Sequence, residues 1–254
     1  MIDIHSHILP NVDDGPQNIN DSITMAQMAV EEGITKIIAT PHHQNGRYIN
    51  KKEKILKEVE ALNQLLEREN IHLEVLPGQE TRIYGEIMGD LEKGEILSLN
   101  QSNYLFIELP SGHVPRYTEQ LLFDIQLKGL TPIIVHPERN AQIFEDPDLI
   151  YKLVEKGILT QVTAGSLTGQ FGKEIQKFTC QLIEAGLTHF IASDSHNVTN
   201  RSFQFTAAMN ILTKEFGNPV AIVFKENAEL IVDGNNINRE IPERIIKRKF
   251  FGVF

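Results

Sequence analysis

Only one cysteine, Cys180, is present among 254 residues, so no internal disulfide framework can form and no thiolate cluster is available to hold a metal. The reducing cytoplasm is the compartment this usage fits. Nothing approaches the ~18 continuous apolar residues of a membrane span. The opening Met1-Ile2-Asp3-Ile4-His5 has neither the basic segment nor the apolar run of a secretory leader. Basic residues are also in short supply: 24 Lys and Arg against 34 Asp and Glu leave a formal charge of −10. That balance disfavours a general attraction to nucleic acid, which depends on clustered cations. No Gly-x-x-x-x-Gly-Lys-Ser/Thr loop offers itself to a nucleoside triphosphate. Linkers, repeats and low-complexity stretches are missing, so no domain boundary is justified.

What is present is an alternation of short β-rich apolar runs with longer segments of helical period. Strands are expected at Ile2–His5, Lys36–Thr40, Leu73–Leu76, Tyr104–Leu109, Pro132–His136, Leu159–Thr163 and His189–Ser193. Helices are expected near Asn20–Glu32, Lys51–Glu69, Glu119–Leu127, Asp148–Lys156 and Lys173–Ala185, with a helix-like segment around Phe203–Phe216 and a tail ending Ile245–Phe254. Gly33, Gly129, Gly157 and Gly186 each stand where a helical run gives way to a strand, the place for a left-handed helix stop. Repeated strand–helix units imply a parallel α/β fold, here a distorted seven-stranded (β/α)7 TIM-like barrel in one domain over 1–254.

Metal-ligating residue types recur after these strands. The first gives Asp3-Ile4-His5-Ser6-His7, followed by Thr40-Pro41-His42-His43, Pro77-Gly78-Gln79-Glu80, Ile107-Glu108, Val135-His136-Pro137-Glu138-Arg139 and Ala192-Ser193-Asp194-Ser195-His196. The C-terminal ends of parallel barrel strands open on one mouth, so these side chains meet. At a spacing of two, His5 and His7 point the same way, as do Asp194 and His196. Burying so many ionisable groups together is costly unless divalent cations turn the cost into binding. Imidazole with carboxylate suits zinc, manganese or iron. More candidates converge than one ion needs, and several ions bridged by carboxylates make an arrangement that activates water and clamps phosphoryl oxygens. His72, His113 and His189 fall outside this pattern, and the role of His43 beside His42 stays open.

The stretches IDIHSHILPNVDDGP, ATPHH, LPGQE, FIELP, VHPERN and ASDSHN, spanning Ile2 to Asn197, closely resemble the polymerase and histidinol phosphatase (PHP) superfamily. Within it, Asp13-Asp14-Gly15-Pro16 points to the bacterial manganese-dependent protein-tyrosine phosphatases of capsule and exopolysaccharide systems. The resemblance implies three divalent ions per chain, manganese first, with iron or zinc as alternatives. It places His5, His7, Glu80 and Asp194 on the first ion, Glu80, Glu108 and His136 on the second, and Asp14, His42 and His196 on the third, Glu80 bridging. It also implies that Arg139 contacts the phosphate as a catalytic residue, while Arg47, after His42, and Arg201, after His196, are further substrate-binding candidates. The partners implied are phosphotyrosine proteins, a bacterial tyrosine kinase among them. The cysteine mechanism of other tyrosine phosphatases is excluded, because it requires an arginine six positions after the cysteine and Gly186 stands there. Two alternatives remain: a small-molecule phosphomonoesterase acting on a substrate such as histidinol phosphate, and a non-catalytic metal-binding regulatory module.

Overall fold

The structure, a computed structural model, describes residues 1–246. Its nine strand segments are β1 (Ile2–Ser6), β2 (Lys36–Ala39), β3 (His42–His43), β4 (Glu74–Pro77), β5 (Glu80–Arg82), β6 (Tyr104–Glu108), β7 (Thr131–Val135), β8 (Leu159–Thr163) and β9 (Phe190–Ala192). Every pairing is parallel. The order is β1-β2-β4 in one sheet and β3-β5-β6-β7-β8-β9 in the other. One isolated parallel bridge, Ser6 to Ser195, joins the first strand to the segment after the last.

The parallel α/β architecture agrees with the alternation in the sequence, but the described residues form two sheets and nine segments rather than seven unbroken strands. The extra segments arise at two interruptions. Pro41 has no N–H to give to a ladder, so β2 stops at Ala39 and pairing resumes at His42. Between β4 and β5, Gly78 passes so close to β2 that an added Cβ would lie 2.6 Å from Ile38 Cγ2. Only glycine fits there. The chain then turns on the buried Gln79, which donates to Asn50 O at 2.6 Å and accepts from Leu97 N at 3.1 Å.

The expected helices lie at Ile19–Glu31, Lys52–Arg68, Thr118–Leu127, Asp148–Glu155, Lys173–Glu184 and Phe205–Phe216. The four helix-stop glycines all have positive φ, from 61° at Gly186 to 87° at Gly157. A further helix, Asn218–Val232, was not expected from the sequence. Its Ala228 and Ile231 join the apolar cluster of Phe106, Ile133, Leu159 and Phe190, and its Asn227 donates to His189 O at 3.0 Å. Of the expected tail, only Ile245 and Ile246 fall within the described residues.

Alternate residues of a strand serve different cores: Ile133 and Val135 belong to the inner cluster, whereas Ile134 packs with the helices. Glu108 follows Phe106, and Gln161 follows Leu159, at the strand period of two. The inner face therefore begins apolar and ends polar, and that polar end is where the site forms.

Candidate metal centre

The nine expected ligands come together where the strands end. Glu80 opens β5 and is fully buried, with its two oxygens shared among four imidazoles. Its Oε2 lies 3.6 Å from His5 Nε2, 3.3 Å from His7 Nε2 and 2.7 Å from His42 Nδ1, and its Oε1 lies 2.7 Å from His136 Nε2. Asp194 Oδ1 stands 3.5 Å from His5 Nε2 and 3.4 Å from His7 Nε2. Asp14 Oδ1 is 3.4 Å from His42 Nε2 and 3.5 Å from His196 Nε2. Glu108 Oε2 reaches within 3.7 Å of His42 Nδ1, while its Oε1 accepts from Arg82 at 2.9 Å.

Backbone hydrogen bonds fix the strand ends that carry these groups. Asp194 N donates to His5 O at 2.9 Å, His7 N to Ser195 O at 2.8 Å, Glu80 N to Pro41 O at 3.1 Å and His136 N to Gln161 O at 2.7 Å. His136 and Asp194 both adopt left-handed backbone, with φ of 37° and 53°. For residues with a Cβ this costs on the order of 1–3 kcal/mol each, a strain that the surrounding bonds hold in place at functional sites.

The polar partners on the far sides of the rings explain their aim. His7 Nδ1 lies 2.7 Å from Asp13 Oδ2, His5 Nδ1 lies 2.8 Å from Gln161 Oε1, and His196 Nδ1 donates to Asp194 O at 2.9 Å. With Nδ1 serving as donor, each ring keeps its Nε2 lone pair for the centre. Those three Nε2 atoms, together with His42 Nδ1, Glu80 Oε2 and Glu108 Oε2, are buried without a hydrogen-bond partner. Close approach without hydrogen-bond geometry is what lone pairs aimed at a common cation produce.

The electrostatics agree. Burial works against charge on His7, yet the surrounding carboxylates of Asp13, Asp194 and Glu80 together outweigh it and lift His7 well above the usual imidazole range. Burial, and then the neighbouring Glu80 carboxylate, push Glu108 up to about 7. Burial, and then Arg139, bring His136 down to about 4. Protons alone leave this cluster with opposing demands, which divalent cations satisfy. Among the described residues, three groups have ligand atoms near enough to share an ion: His7, Asp14, His42 and His196; His5, His7 and Glu80; and His42, Glu80 and Glu108. His7 and His42 each fall in two groups, which differs from the grouping that the resemblance implies.

Asp13, Gln161 and Glu138 hold the cluster's side chains and loops by hydrogen bonds, and the sequence reading did not single them out. Glu138, buried between His136 and Arg139, accepts from Thr163 N at 3.0 Å and Ser166 Oγ at 2.7 Å, which ties the His136 loop to the end of β8. Asp13 accepts three bonds, the others coming from Gly15 N at 2.9 Å and His42 N at 3.0 Å. Asp13→Ala is therefore expected to weaken manganese binding by about 10–100-fold, as loss of an orienting partner does elsewhere, measured by calorimetric titration of chelated protein. Affinity equal to that of the unsubstituted protein would show that His7 is oriented without it.

A cavity of about 220 Å³ opens against the cluster, lined by His42, Glu108, His136, Arg139, Asp194 and Arg201 among others. Arg139 and Arg201 both donate to Asp194 Oδ2, at 2.7 and 3.0 Å, and Arg139 also lies over the Phe171 ring at 5.1 Å. Arg47 does not line this cavity and faces an adjoining groove. His43 is buried at the edge of the Tyr84 ring and belongs to none of the three ligand groups. Cys180 is half-buried in the Lys173–Glu184 helix, and burial pushes its thiol up.

Comparison with known proteins agrees with this architecture. The chain is 52% identical, over the whole of both chains, to the tyrosine-protein phosphatase YwqE of Bacillus subtilis. It is 30% identical to the tyrosine-protein phosphatase CpsB of Streptococcus pneumoniae, with 97% of this chain and 100% of the relative covered. A solved structure from work on YwqE of B. subtilis and CpsB of S. pneumoniae, described as metal-dependent tyrosine phosphatases, superimposes with a TM-score of 0.95 at 52% identity, covering 97% of this chain and 100% of that one. The capsular polysaccharide synthesis family CpsB/CapC matches residues 1–233, and with a ligand-rich strand mouth of this kind the chain belongs to that family.

Proposed function

We propose that the protein is a metal-dependent protein-tyrosine phosphatase acting on phosphotyrosine proteins, a bacterial tyrosine kinase and its substrates among them, in capsule or exopolysaccharide control. The observation that carries this reading is the convergence of buried, unpartnered imidazole and carboxylate lone pairs beside two guanidinium groups in one cavity. His5, His7, Asp14, His42, Glu80, Glu108, His136, Asp194 and His196 would hold three divalent ions, manganese first. Bound there, such ions neutralise phosphoryl oxygens and make water nucleophilic at neutral pH. Arg139 and Arg201 bind phosphate oxygens from the cavity wall, their positions set by the shared Asp194 carboxylate. A phenolate leaves readily, its pKa being about 10, so no strong general acid is required of the chain.

On this reading the two sheets are one distorted seven-stranded barrel in a single domain. β3 continues β2 beyond Pro41, β5 continues β4 beyond Gly78, and the Ser6–Ser195 bridge stands between the first and last strands.

The deciding experiment measures phosphate release from phosphotyrosine peptides and small phosphomonoesters, including histidinol phosphate, after chelation and again after manganese is restored. Peptide hydrolysis should vanish with chelation and return with manganese, and elemental analysis should find more than one ion per chain. In the same assay Cys180→Ala should stay active, since the thiol lies within a helix away from the cavity lining. Hydrolysis of small phosphomonoesters alone, or turnover that survives chelation, would overturn the reading.

A further inference from the structure

The turn that follows His42 carries a guanidinium group that no carboxylate among the described residues engages. Among the described residues, the other arginines around the centre are committed: Arg82 to Glu108, and Arg139 and Arg201 to Asp194. Arg47 is exposed, and its guanidinium lies over the neighbouring Tyr48 ring, 4.9 Å from the centroid. The turn is held rigid from within. Gln44 N donates to Tyr48 O at 2.9 Å, and the Asn45 side chain accepts from Arg47 N at 3.1 Å and Tyr48 N at 2.9 Å. Tyr48 in turn lies parallel to the His42 ring, 6.3 Å between centroids and 6° between planes. The turn is thus registered to the metal centre.

Arg47 and Tyr48 line a groove of about 450 Å³ whose other walls include Asp14, Gln17, Asn197 and Val198. Asp14 also belongs to the centre, so the groove begins where the cluster ends. The acids in the groove are already engaged: Asp14 with His42, His196 and Arg201, and Asp21 with Asn18 Nδ2 at 2.8 Å. In a chain of net charge −10, an acidic ligand segment approaching the centre is repelled over most of the surface. Arg47 is the basic side chain in this groove's lining, beside the carboxylates of Asp14 and Asp21.

We propose that this groove is a docking subsite for the polypeptide flanking the phosphotyrosine, in which Arg47 pairs with an acidic side chain of the protein substrate. The assignment rests on the phosphatase reading above and adds to it a preference for acidic sequence around the scissile phosphate. An exposed pair of this kind contributes modestly and is screened by salt, so the expected discrimination is about fivefold.

The test uses the manganese-loaded full chain and two phosphotyrosine peptides that differ only in carrying Glu or Gln at the positions on either side of the phosphotyrosine. At low ionic strength kcat/KM should favour the Glu peptide about fivefold, and added salt should shrink the ratio. Arg47→Gln should bring the ratio near one, Arg47→Lys should keep most of it, and Arg47→Glu should reverse it. Because each ratio is taken within one preparation, a change in folding or metal content cancels. Equal kcat/KM for both peptides, or an Arg47→Glu protein with the original preference, would overturn the docking assignment alone. Release from neither peptide would remove the phosphatase reading, and the docking assignment with it.

Discussion

Glu80→Gln is expected to keep its fold, to bind less manganese and to release phosphate from phosphotyrosine peptide on the order of 10³-fold more slowly. The carboxylate is fully buried and stands between four imidazoles, those of His5, His7, His42 and His136, so it takes part in two of the three ligand groups. Glutamine preserves the volume but replaces a charged oxygen by an amide that cannot bridge cations. Buried imidazoles that shared one anion then face each other across a neutral group. Elemental analysis beside a rate measurement on the same sample separates the outcomes. A fall in both places Glu80 at the heart of the centre, whereas full metal content with normal turnover would show that the carboxylate holds no ion.

Arg139→Ala should slow turnover on the order of 10²-fold with little change in metal content. Its Nη2 donates to Asp194 Oδ2, but Arg201 donates to the same oxygen, so one guanidinium group remains to hold the carboxylate. The opposite oxygen, Oδ1, still faces His5 and His7. What is lost is a planar donor pair on the cavity wall. Arg139→Lys restores charge without the fork and should recover only part of the rate. If metals leave together with activity, Arg139 is a support for Asp194; if turnover is unchanged, it has no part in the reaction.

The convergence of these side chains was legible in the sequence because strand ends are punctuated: an apolar run stops and a His, Asp or Glu follows at the period that points inward. His5 with His7 and Asp194 with His196 announce themselves by that spacing. The partners that aim the rings were less legible. Asp13 and Asp14 are adjacent carboxylates in a loop, and no periodicity tells which one turns in to His7 and which one stays partly exposed beside His42. Gln161 did leave a signal, a long polar side chain inside a fully buried strand, LTQVT, at inward register with Leu159. The two short strands were hidden by their length. His42–His43 and Glu80–Arg82 are too brief to show a period, and their existence follows from the breaks at Pro41 and Gly78. Arg47 looked equivalent to Arg201, each lying a few residues beyond a ligand, and only the direction of the turn after His42 sends it to a different groove.

The bridge between Ser6 and Ser195 joins residues 189 positions apart in the chain. Seven of the nine proposed ligands lie before the end of β8, but Asp194 and His196 follow β9. While the polypeptide is still being synthesised, everything up to Thr163 can emerge and begin to pair, yet the oxygen that faces His5 and His7 does not exist until the ribosome has passed residue 194. Contacts of such long sequence separation form late and slowly. A chain cut short after β8 would therefore carry most of the cluster and still lack Asp194 and His196, the residues that close it.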